Sequence, residues 1–268
     1  MNNVLSIDTE FNNQKEILSL GLYSTDISEE LYFKNRSNDS SLRVHGLITE
    51  FLMDSGQEYR FSSVKKFFDQ KEYFLAYGID HDLQCLSIPK KGSLYMTNKI
   101  IDLRVLIVAL GMDGTLSDLQ HTLGINMGQS QLIHSAYFDA KLTFKILEKI
   151  FSLSHFGNVN DFLLKASALT TATHLGNNWE MDDIIHEHFS FSVPSRKKIG
   201  EDTSSVQYVK KNGFVHVIKG KVCTHRFPTK YLSADIKFLN DSSDLLLPDI
   251  GIKFDNRLTK MRPGVKNG

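Results

Sequence analysis

The chain has 268 residues, 41% hydrophobic and 23% charged, a balance that suits a folded protein with a sizeable core and argues against extensive disorder. It has no apolar stretch of membrane-spanning length and no basic segment leading into an apolar signal core. Its two cysteines, Cys85 and Cys223, are too few for a disulfide framework or a Cys-rich zinc site, so the expectation is a cytoplasmic protein without a membrane partner. Formal net charge is zero but unevenly divided: from Arg196 onward there are 15 basic against 7 acidic residues, and before it 16 against 24. An acidic body with a basic tail suits a protein that gathers carboxylates in one part and meets phosphates with another.

VLSID predicts a first strand, EILSLGLY (16–23) a second with period-two alternation, and ELYFKN (30–35) a third, which together read as an antiparallel meander. A Ser/Asn-rich loop (35–41) leads into LRVHGLITEFLMDS, a turn followed by a short helix. SSVKKFFD has the helical spacing of Val64, Phe67 and Phe68. YFLAYG (73–78) and KIIDL (99–103) predict two further strands, the second running into the helical RVLIVALG. TLSDLQHTLGI predicts an amphipathic helix from near Ser117 to Gly124, and HSAYFDAKLTFKILEKIF (134–151) is the clearest helix in the chain.

The remainder differs in character. Four of the five prolines fall after residue 190. VNDFLLKASALTTATHLG predicts a helix, and VQYVKKNGFVHVIKGKV a hairpin turning at Lys-Asn-Gly. The chain therefore divides near residue 152, into a mixed α/β domain (1–151) and a helical linker with a small, basic, partly β accessory region (152–268).

The chemistry concentrates in three places. In SIDTEF, Asp8 and Glu10 stand two apart at a strand end, so both carboxylates project from one face, where they repel unless a cation lies between them. In IDHDLQCL, Asp80 and Asp82 stand at another strand end, on one face if the strand continues. In IHSAYFDA, His134 lies five residues before Asp139 across a helix start, in the preceding loop or the first turn.

This order resembles the DEDDh family of 3′–5′ exonucleases, DnaQ-like members of the ribonuclease H-like superfamily. The resemblance covers roughly residues 1–151. Ser135 stands where a sister subclass has tyrosine, so His134 points to the histidine branch. The resemblance implies a ribonuclease H-like mixed five-stranded sheet flanked by helices. It implies two Mg2+ or Mn2+ ions, about 3.5–4 Å apart in such sites, with Asp8 bridging them and Glu10, Asp82 and Asp139 completing their shells. His134 would be the general base, its ordinary pKa of about 6.5 suiting that task. The substrate would be the 3′ end of RNA or DNA, and the product a nucleoside 5′-monophosphate.

One departure leaves the middle ligand open. The family often has an aromatic residue immediately before the middle Asp, and here His81 precedes Asp82 while Asp80 stands two residues earlier. Asp82 is preferred because Leu86 follows at the family's usual offset, with Asp80 in reserve. Phe11 is either a stacking residue for the terminal base or a core aromatic. RVHGLIT resembles the family's short His-Gly-Ile turn, with His45 structural there or lining the substrate groove. His174, His186 and His188 read as surface histidines, and the basic SRKK (195–198) and Lys210–Lys211 as solvated surface or phosphate contacts. Members of the family often dimerise, which makes a homodimer the suggested assembly. The competing readings are a proofreading subunit of a polymerase and a non-catalytic nucleic-acid-binding module.

Overall fold

The structure, a computed structural model, describes residues 1–88, 99–110, 112, 114–127, 135–175, 207–211, 214–219 and 222–228. Five strands form one mixed sheet: β1 (Val4–Phe11), β2 (Ile17–Tyr23), β3 (Ser28–Tyr32), β4 (Tyr73–Ala76) and β5 (Ile100–Asp102), in the order β3-β2-β1-β4-β5. The first three run as an antiparallel meander, whereas β4 and β5 join β1 in parallel. Helices flank the sheet, giving the mixed five-stranded α/β architecture expected from the sequence.

Alternation along the strands sorts the core onto two faces. Val4, Tyr73, Leu75 and Ile101 face one side, and pack with α5 (Leu103–Ala109), α6 (Leu116–Thr122), α7 (Ala136–Leu153) and α8 (Val159–Leu175). Leu5, Ile7, Phe74, Ala76 and Ile100 face the other, against α3 (Phe61–Phe68) and α4 (Asp80–Cys85). Helix α1 (Asp39–His45) ends at Gly46, whose φ of 71° is left-handed, and α2 (Thr49–Ser55) follows after a short turn.

The expected strands and helices are present with shifts at their ends, α1 occupies part of the expected loop and turn, and one further difference is consequential. Asp80 and Asp82 do not extend a strand: β4 stops at Ala76, Gly78 takes a left-handed φ of 80°, and the acids open α4. A Cβ on Gly78 would meet no atom within 4 Å, so what demands glycine there is the backbone turn itself.

Residue 152, near which the boundary is expected, lies in the last turn of α7. Helix α8, which Asn158 caps by accepting the Asp161 N–H at 2.9 Å, buries Phe162, Leu163, Ala166 and Leu169 in the same core as α7. Farther on, β6 (Gln207–Lys211), β7 (Phe214–Lys219) and β8 (Val222–Pro228) form a separate antiparallel sheet, one strand more than the expected hairpin. No helix among the described residues is long and apolar enough to cross a membrane.

Candidate metal centre

Strand β1 hands its last four side chains to two different helices. Asp8 and Glu10 continue the row of Val4, on the side of α7. Thr9 and Phe11 continue the row of Leu5 and Ile7, on the side of α4.

On the first side, Asp139 completes a cluster: oxygens of Asp8, Glu10 and Asp139 all lie within 4.8 Å of one another. Asp139 stands in the first turn of α7, where the helix dipole favours a carboxylate. Ser135 caps that turn, its hydroxyl accepting the Phe138 N–H at 3.3 Å. Burial pushes the Asp8 carboxyl well above the usual range, and the neighbouring Asp82, Asp139, Glu10 and Glu30 push it further the same way.

On the other side, pairing of β1 with β4 ends at Ser6↔Leu75, and beyond that point Asp82 occupies the edge of β1. Its Oδ1 accepts both the Thr9 N–H at 2.8 Å and the Thr9 hydroxyl at 2.9 Å. Asp82 is 5% exposed; burial pushes its carboxyl up to about 7, the two bonds from Thr9 act in the opposite direction, and Asp102 adds a smaller upward push.

Placing Asp80 and Asp82 on a helix separates them, because residues two apart are about 200° apart around its axis. Asp82 turns toward Thr9 and Asp8. Asp80 turns toward His174, its Oδ2 3.7 Å from Nδ1 of that ring. His174 is not a surface histidine: its side chain is 15% exposed, and Nε2 lies 3.3 Å from Asp102 Oδ2. Asp102 also accepts the Gly78 and Arg104 N–H groups, each at 2.9 Å, which ties the β4–α4 turn to the start of α5. These residues line a cavity of about 370 Å3 with His81, Val105, Val108 and Thr173.

The other expected site residues are placed as follows. Phe11 is half-buried, its ring within 18° of parallel to His81 at a centroid distance of 6.4 Å. His45 is buried at the end of α1, where its Nδ1 accepts the Leu47 N–H at 3.0 Å. His134, His186, His188 and the SRKK run lie outside the described residues, whereas Lys210 and Lys211 fall on β6.

The site thus brings together Asp8, Glu10 and Asp139, with the Asp82 charge near enough to push the Asp8 carboxyl up. Thr9, Asp102 and Gly21 are not among the site residues expected from the sequence. For Gly21 a signal existed, since a glycine inside a strand marks close approach by another backbone. The donor set fits a hard divalent cation: every donor is a carboxylate oxygen, and the crowding of like charge on Asp8 is what a cation relieves.

Among solved structures the chain is similar to that of S. pombe Pop2p in its Mg2+- and Mn2+-bound form, at 16% sequence identity. The likeness covers 56% of this chain and 83% of that one, with a TM-score of 0.44. No family model matches the sequence, and no curated protein does.

Proposed function

We propose that the protein is a metal-dependent 3′–5′ exonuclease of the DEDDh type, which removes nucleoside 5′-monophosphates one at a time from the 3′ end of RNA or DNA. The observation that carries this reading is the meeting of Asp8, Glu10 and Asp139 within 4.8 Å, with Asp82 close enough to Asp8 to raise its pKa. So much mutual repulsion is retained where a cation offsets it.

In this reading Asp8, Glu10, Asp82 and Asp139 hold two Mg2+ or Mn2+ ions. When bound, such a pair supplies Lewis acidity at the attacking water and at the departing 3′ oxygen. The chain's own groups do the rest. Thr9 fixes the rotamer of Asp82 through two hydrogen bonds, and the first turn of α7 aims Asp139 at Asp8. His134, five residues before Asp139, takes the proton of the attacking water at an imidazole nitrogen. Residues 1–151 carry the catalytic groups, and the basic region within 152–268 contacts the strand's phosphates.

The test is digestion of matched single-stranded RNA and DNA, labelled at the 5′ end, by the wild-type protein and by Asp8→Ala in magnesium, manganese or chelator. A ladder that shortens from the 3′ end, and is lost in chelator and in the variant, is the expected result. Intact strands in every metal would overturn the reading and leave a non-catalytic binding module.

A further inference from the structure

Beside the acid cluster, on the α4 side of β1, three residues form a group with no part in holding a metal: Phe11, Lys15 and His81. Phe11 directly follows Glu10, and His81 directly precedes Asp82. The Lys15 ammonium lies over the Phe11 ring, 4.2 Å from its centroid, and 3.3 Å from His81 Nδ1. Because an ammonium only donates, Nδ1 accepts, and the ring proton resides on Nε2. The group therefore offers two flat rings, a cation and an N–H donor.

The turn that carries Lys15 is built to hold it there. Asn12, 2% exposed, accepts the Gln14 and Glu16 N–H groups on Oδ1, each at 3.0 Å. Its Nδ2 donates to Glu16 Oε2 at 2.7 Å and to the Arg36 carbonyl at 2.9 Å. Lys15 itself takes a φ of 64°, a left-handed conformation unfavourable for a residue with a Cβ. Glycine or asparagine would be easier in that position. A lysine kept there at conformational cost, with its amine carried across to a helix 66 positions away in sequence, points to a task for the charge.

We propose that Lys15, Phe11 and His81 form the contact for the nucleotide next to the scissile one: Lys15 pairs with its backbone phosphate, while Phe11 and His81 receive its base. The need follows from the neighbouring carboxylates, which repel an approaching phosphate unless a fixed cation at their rim offsets them. Stacking rings make the contact one for an unpaired strand, because every base has a flat face to offer. This inference rests on the exonuclease reading for its substrate, and the experiment separates the two.

Binding is measured by fluorescence anisotropy in magnesium, with full-length protein carrying Asp8→Asn so that cleavage is off. The probes are 5′-fluorescein single-stranded RNA and DNA of about ten nucleotides. Each is titrated from about 50 to 200 mM salt, where loss of one phosphate contact lowers the slope of log K against log salt by about 0.7. Lys15→Met is expected to weaken binding about tenfold and to lower the slope by that amount, and Lys15→Arg to restore both. Phe11→Leu should weaken binding and leave the slope alone. A residue that merely clips the turn to α4 would alter melting temperature and not the slope. A wild-type slope in Lys15→Met, or no binding by the parent protein, would overturn the proposal. Binding with a Lys15-dependent slope, in a protein whose Asp8-intact form digests neither strand, would support Lys15 as a contact for a strand's phosphate while removing the exonuclease reading and the assignment to a nucleotide beside a scissile one.

Discussion

Gly21 of β2 and Ala136 of α7 meet backbone to backbone: a Cβ on Gly21 would overlap the carbonyl group of Ala136 and the amide nitrogen of Tyr137. Gly21 also lies opposite Asp8 in the β1–β2 ladder. The missing side chain is thus what lets the first turn of α7 settle on the sheet and bring Asp139 up to Asp8 and Glu10. Gly21→Ala should cost about 3 kcal/mol in chemical denaturation, since backbone atoms cannot repack as a side chain can. Magnesium affinity should fall as well, read by calorimetry under conditions where the variant remains folded. Unchanged stability would mean that α7 does not rest on β2 as described.

Asp8→Asn separates stability from activity. Asp8 bears the repulsion of Asp82, Asp139, Glu10 and Glu30, so neutralising it should stabilise the metal-free protein by about 1–2 kcal/mol at low salt. On the exonuclease reading, the same change should lower nuclease activity by about a hundred-fold or more, through the loss of a proposed metal ligand. Denaturation in chelator and digestion in magnesium read the two effects. A variant that loses both stability and activity would mean that Asp8 is held by attractive contacts.

The acid pair was legible because strand alternation is strictly local: VLSIDTEF states which residues share a face, and Asp139 falls in a helix of strong periodicity. Beyond that range the sequence becomes ambiguous. Whether Asp80 and Asp82 continue a strand or open a helix depends on the left-handed Gly78 and on Asp102, a residue far along the chain that holds its N–H. His174 reads as a surface residue until α8 is seen packed on the sheet, which places the ring between Asp80 and Asp102. Thr9 reads as an ordinary strand threonine, and only the end of the β1–β4 ladder at Ser6 explains why its N–H and hydroxyl go to Asp82.

Asp82 makes the metal-free protein sensitive to pH in a definite direction. Its folded pKa is about 7, against about 3.9 for an unfolded aspartate. Between those values the folded state binds the extra proton, so its stabilising contribution is present below about pH 4 and is lost as pH rises toward 7. In chelator, wild type should lose on the order of 2 kcal/mol between about pH 5 and pH 8 relative to Asp82→Asn, which carries no titrating carboxyl there. Magnesium at the upper pH should return more stability to the wild type than to Asp82→Asn, which keeps only Asp8, Glu10 and Asp139 for the ion. Parallel profiles for the two proteins in chelator would remove Asp82 as the source.

Helix α8 is the second lid of the core that α7 covers, and its loss should be felt at the candidate metal centre. Phe162, Leu163, Ala166 and Leu169 are each no more than 1% exposed, and the Asp102 N–H donates to the Thr170 hydroxyl at 2.9 Å. Large apolar side chains each contribute about 1.5–3 kcal/mol on burial, so removing the helix forfeits an amount comparable with the whole stability of a typical domain. It also strips His174 from Asp80 and Asp102, on either side of the turn that aims Asp82. A chain ended after residue 153 should therefore collect in the insoluble fraction or bind hydrophobic dye without cooperative melting. One ended after residue 175 keeps α8 and should melt cooperatively and still bind magnesium. Equal melting of the two shortened chains would show that the sheet and α7 hold the metal centre without α8.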